Sequence, residues 1–180
     1  PRDLPFAGRP RLMAFLGTTI GNLEPTHATS FLTSIREEMT AADGFLVGFD
    51  LVKDIDVLER AYNDEAGVTA EFNLNVLRVM NRELGASFDL DAFGHRAVWN
   101  AADSRIEMHL ESVVEQWVRI PSIGLDISFA AGETIRTELS HKYTRESAGG
   151  LLQASGLGLK SWCTDRSDRF ALALARARSV

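Results

Sequence analysis

The sequence predicts an α/β fold: a parallel strand-helix-strand core, interrupted by an α+β block and closed by a helix and two more strands. Three observations carry this. Two short, continuously apolar runs, LMAFL and FLVGFDLV, flank a segment with helical apolar spacing. The middle of the chain changes to two amphipathic helical patterns and then to alternating, strand-like segments. The tail returns to one helix and two apolar strands. A chain of 180 residues, 45% of them hydrophobic, can bury one core, or one core with a sizeable insertion.

The opening PRDLPFAGRP holds three of the five prolines and reads as a loop leading into a strand. It starts with Pro1 rather than Met, which suggests a piece of a longer polypeptide. Residues 12–16 suit a strand buried on both faces. Thr26 is a candidate N-cap for a helix carrying Phe31, Leu32, Ile35 and Met39, with Asp43-Gly44 as its stop. Residues 45–52 form the next strand, and such a crossover unit places a ligand crevice at the C-terminal ends of its parallel strands. Gly21-Asn22, just past the first strand, reads locally as a turn in which Asn22 tolerates positive φ.

Helical patterns follow at 54–63 and 68–84, the second with Phe72, Val76, Met80 and Leu84 along one stripe. RAVWNA, RIEMHLES, EQWVRIPS, LDISF and ETIRTELSHKY then alternate like the strands of an antiparallel sheet. A helix at 144–155 closes at Gly156, and LKSWCTD and FALALARA suit a hairpin around Arg166-Ser167-Asp168. This divides the chain into 1–54 and 144–180 as core, with 55–143 as an inserted subdomain.

A net charge of −6 with 19 scattered basic residues argues against a general nucleic-acid binder, because phosphate contacts need clustered Lys and Arg. No apolar run approaches the roughly 20 residues of a membrane-spanning helix, and no signal-peptide pattern is present. With a single cysteine, Cys163, read as a core thiol, the expectation is a cytoplasmic protein without membrane or nucleic-acid partners. The histidines His27, His95, His109 and His141 show no metal-ligand spacing, so no metal is expected. The GxSxG, P-loop and GxGxxG patterns are also absent.

Glu138 and Ser140, on a strand, share a face with Arg136 and Lys142. Spacing alone favours a solvated strand face. The other reading is a carboxylate and a hydroxyl gripping the two nitrogens of a ring such as imidazole. Tyr62 at a helix end and Met108 in a strand read first as packing residues.

LMAFLGTTIGNL, GFDLVKD, AYNDEAGVTAEFNLNVLRVMNREL, FDLDAF, WNAADSRIEMHLES and FAAGETIRTELSHKY resemble, in that order, one enzyme family. It is the histidine-specific, S-adenosylmethionine-dependent Nα-methyltransferases of ergothioneine biosynthesis, and the likeness runs along their C-terminal half. The resemblance implies an incomplete class I (Rossmann-like) methyltransferase sheet with an inserted α+β substrate-binding subdomain. It implies S-adenosyl-L-methionine as cofactor of the full-length enzyme and L-histidine as substrate, trimethylated on its α-nitrogen to hercynine. Asn22 in TTIGN looks like the asparagine holding the α-amino group, and Gly17 resembles the glycine whose backbone lies beside the cofactor. Tyr62 in AYND looks like the carboxylate-binding tyrosine. Met108, Glu138 and Ser140 match the imidazole pocket, with Glu138 and Ser140 selecting the ring. These residues position substrate, and none is expected to be catalytic. Thr18 stands where many relatives have Ser.

By the same resemblance, the first three strands, the Gly-rich cofactor loop and the N-terminal part of the substrate pocket are expected to lie outside this sequence. Alone the chain is expected to bind cofactor poorly, to need that segment as partner, or to self-associate through an exposed strand edge. The alternatives are a related N-methyltransferase for another amino acid, such as a tryptophan derivative, and a non-catalytic amino-acid binding module.

Overall fold

The computed structural model describes residues 9–178. The beginning of the PRDLPFAGRP loop and the last two residues lie outside the described residues. In chain order the elements are β1 (Leu12–Phe15), α1 (Pro25–Glu37), β2 (Gly44–Asp50), α2 (Ile55–Tyr62) and α3 (Val68–Leu84). Then come β3 (Phe93–Asn100), β4 (Arg105–Ser112), β5 (Gln116–Ile120), β6 (Leu125–Phe129) and β7 (Thr134–His141). The chain closes with α4 (Arg145–Ala154), β8 (Leu157–Thr164) and β9 (Phe170–Ala177). Two compact units divide them: residues 9–53 with 140–178, and residues 54–139.

The first unit is built on a four-stranded sheet in the order β1-β2-β9-β8. β1 and β2 are parallel, with Leu12 opposite Gly44 and Phe15 opposite Val47. β9 runs antiparallel to both β2 and β8, closing the sheet with the expected hairpin. Ile20, Leu32, Phe45, Val47, Phe49 and Leu152 are fully buried in its core, and each such side chain contributes about 1.5–3 kcal/mol relative to exposure. The Tyr143 ring meets Phe49 edge-on at 4.8 Å. Burial pushes the Tyr143 hydroxyl up to about 12, so it stays protonated.

Several expectations change here. β1 is not buried on both faces: Leu12 is 65% exposed and Leu16 beyond it 52%. Thr26 is not the N-cap of α1, which starts at Pro25 with Glu24 in the capping position. Proline suits the first helical position because its φ is preset and its missing N–H would have had no partner there. Asp43 does not stop that helix. It is fully buried, and its carboxylate accepts from Arg11 N and Nη2 at 2.7 Å and from Thr40 N at 2.8 Å. Cys163 is not a core thiol but an exposed one. An irregularity in the β8–β9 register between Leu159 and Ser161 shifts the alternation ahead of it.

In the second unit α2 and α3 pack on β3 and β4, within a sheet ordered β3-β4-β7. β5 and β6 form a separate two-stranded hairpin, so the strand-like segments make two sheets rather than one. Leu77, Phe93, Leu110 and Phe129 share a buried cluster, with Phe93 and Phe129 edge-on at 5.5 Å. The apolar stripe foreseen on α3 is only half right. Phe72 and Val76 point to solvent at 64% and 45% exposure, whereas Asn73 and Leu77 are buried.

Candidate functional site

In the first unit the chain leaves β1 through two left-handed residues, Gly17 (φ 83°) and Thr18 (φ 59°), into a 3-10 turn over Thr19–Asn22. They, and not Asn22, supply the positive φ that the turn needs. Gly21 serves a close approach instead: a Cβ there would lie 2.7 Å from the backbone oxygen of His141. The absence of that Cβ lets the turn carrying the exposed Asn22 lie against the end of β7. A Cβ at Gly17 would meet only Thr19 Oγ1, at 3.6 Å, so a backbone open to a ligand fits this position. Gly17 borders a hollow of about 460 Å³ lined also by Leu16, Thr18, Gly48, Phe170 and Leu172. It lies at the C-terminal ends of β1 and β2, the place ligands take in open α/β sheets.

Ser140 and Lys142 are buried, at 7% and 3% exposure, which replaces the expected solvated strand face at these positions. Lys142 Nζ donates to Ser140 Oγ at 2.8 Å and to Asp50 Oδ2 at 2.7 Å. Asp50, at the end of β2, also accepts from Lys53. One carboxylate thus sits between two ammonium groups, and the more deeply buried one reaches the serine.

In the second unit Tyr62 ends α2 and packs, half-buried, on a cluster of Leu58, Ala97, Ile106 and Met108. The structure therefore brings the predicted Tyr62 and Met108 together. Asn63 ties this helix end to β3, its Nδ2 donating to Ala97 O at 2.9 Å and its Oδ1 accepting from Ala97 N at 2.9 Å. His95 Nε2 donates to the Tyr62 carbonyl at 2.8 Å, leaving Nδ1 to accept from buried Asn73 Nδ2 at 2.9 Å. That tautomer follows from the hydrogen-bond pattern, since the Asn73 amide also donates to His109 O at 3.1 Å. Met108 O accepts from Thr137 Oγ1 at 3.1 Å, so β7 is bonded to β4 one residue before the half-buried Glu138.

Glu107 alternates with Met108 on β4 and gathers Asn100, Arg105 and His109. Burial alone would raise its carboxyl, but hydrogen bonds from Asn100, Arg105 and His109 outweigh that and hold it at about 2. Sequence reasoning missed the roles of Asn63, Asn73, His95, Glu107 and Asp50. The one available signal was a polar Asn73 between Phe72 and Leu74 in a helix, which marks a buried amide only once the buried face is known. Among the described residues no cluster of three or more His, Cys, Asp or Glu could hold a metal. None of their helices is long and apolar enough to cross a membrane.

A family model described as histidine-specific methyltransferase, SAM-dependent, matches residues 2–177. The chain belongs to that family. It is 49% identical over 172 residues to a histidine N-alpha-methyltransferase of Mycolicibacterium smegmatis, covering 96% of this chain and 53% of that one. Identity is also 49% to the enzyme of the same name in Mycobacterium tuberculosis, at 96% and 54% coverage. An L-tryptophan methyltransferase of Psilocybe serbica is 30% identical, over 92% of this chain and 46% of that one. The chain thus spans about half the length of the curated relatives it matches. The mixed α/β fold of the described residues accords with that membership.

Proposed function

We propose that the full-length enzyme trimethylates the α-amino group of L-histidine to hercynine, and that this chain supplies most of the histidine grip. S-adenosylmethionine, when bound, supplies an electrophilic sulfonium methyl beside the Gly17 backbone. Each transfer needs a neutral amine held about 3 Å from that methyl, so positioning is the main task of the protein. Asn22 holds the α-amino group, and Tyr62 binds the carboxylate. The proton lost from the amine passes to water, so none of these residues has to act as a strong base.

Met108 lines the ring pocket, where Glu138 and Ser140 take the two ring nitrogens. The observation that carries this reading is the burial of Ser140, two positions along β7 from half-buried Glu138. An imidazole offers two ring nitrogens to these two groups, which an indole or a purely apolar side chain does not, and that difference favours histidine. The 54–139 unit acts as the substrate-binding subdomain, and the other unit as part of the methyltransferase core. The remaining core strands and the cofactor loop come from the preceding part of the same polypeptide.

The test is Glu138→Ala in the full-length enzyme. Losing a hydrogen bond to a charged group costs about 1.5–3 kcal/mol, so kcat/KM for histidine should fall roughly 10- to 150-fold. Discrimination against tryptophan should fall with it. A variant with unchanged histidine activity and selectivity would sink the assignment.

A further inference from the structure

Lys142 is buried and charged, and the methyl transfer described above has no use for it. Its side chain is fully enclosed, held by Asp50 Oδ2 at 2.7 Å and donating to Ser140 Oγ at 2.8 Å. An ammonium has three donors and no acceptor, so Ser140 Oγ necessarily accepts in this bond. One lone pair of the hydroxyl is thereby committed, and its proton points away from Lys142.

We infer that Lys142 is a specificity-determining positioning residue, which sets the Ser140 hydroxyl as donor to an unprotonated nitrogen of a neutral imidazole ring. This rests on the assignment of Ser140 to the ring. Asp50 is the anchor, and its second partner Lys53 means that it keeps a counter-ion when Lys142 is replaced. Lys142 touches no reacting atom in this scheme and acts through Ser140.

The experiment measures kcat/KM for histidine and for thienylalanine, a histidine-shaped amino acid whose five-membered ring has no nitrogen, in the full-length enzyme. Both substrates report on the same folded molecules, so their ratio is insensitive to lost stability. Lys142→Met should lower the histidine-to-thienylalanine ratio about tenfold, the size of one buried hydrogen bond. The same change in a Ser140→Ala background should leave the ratio where Ser140→Ala alone puts it. Asp50→Asn, which keeps Lys142 but loosens its anchor, should give a smaller drop. If Ser140→Ala lowers the ratio but Lys142→Met and Asp50→Asn do not, the role of Lys142 is overturned while Ser140 keeps its place. If Ser140→Ala itself leaves the ratio unchanged, the ring assignment fails and the inference falls with it.

Discussion

Glu107 shows how a single carboxylate can tie acid stability to the 54–139 unit. Its folded value of about 2 lies below the usual 4.5, because the charged form collects donors from Asn100, Arg105 and His109. A depressed carboxyl stabilises the fold fully above its unfolded value and loses that contribution as pH falls toward its folded one. The difference in urea midpoint between the parent chain and Glu107→Gln should therefore be constant above pH 4.5 and shrink between pH 4.5 and about 2. A pH-independent difference would show that Glu107 is not held in its charged form. At this scale the sequence was partly legible. TELS and AYND mark residues by type, and strand alternation puts Lys142 on the face of Ser140. Alternation does not reveal that this face is enclosed, nor that Asp50, distant in the chain, supplies the counter-ion. Asn73 and His95 were hidden for the same reason: their bonds join a helix to a strand.

Among the elements, α3 and β1 show where periodicity reads well and where it does not. The limits of α3 match its sequence pattern residue for residue, Val68–Leu84. Its buried face was misjudged because two apolar stripes run along the helix, one with Leu77 and one with Phe72 and Val76. Apolar spacing at a helical period marks candidate faces, and only tertiary packing decides which face goes in. β1 has a related ambiguity, since a continuous apolar run reads as buried on both sides although Leu12 and Leu16 are largely exposed. Among the described residues β1 is also the end strand of its sheet, and an apolar end strand can offer its backbone groups to another chain. We propose that the isolated chain self-associates through this strand. Sedimentation velocity should show species larger than a monomer, and Leu12→Lys with Ala14→Lys should shift them toward the monomer. A parent chain that stays monomeric at every concentration would contradict this.

For the whole molecule, the class of fold and the order of its elements were legible, because apolar runs, helical periods and turn residues agree along the chain. The close approach of Gly21 to His141 was not, since no local pattern announces a backbone 120 residues away. It is this approach that turns Gly-Asn from a simple turn into a support for Asn22 beside the strand carrying Ser140. In the proposed enzyme these separated residues act on one amino acid, and relatives named for histidine and for tryptophan frame the choice. The most direct measurement gives the full-length enzyme S-adenosylmethionine with histidine and tryptophan in competition, and identifies products by mass spectrometry. The prediction is trimethylated histidine with tryptophan left unmodified; methyl transfer to tryptophan in preference to histidine would contradict it.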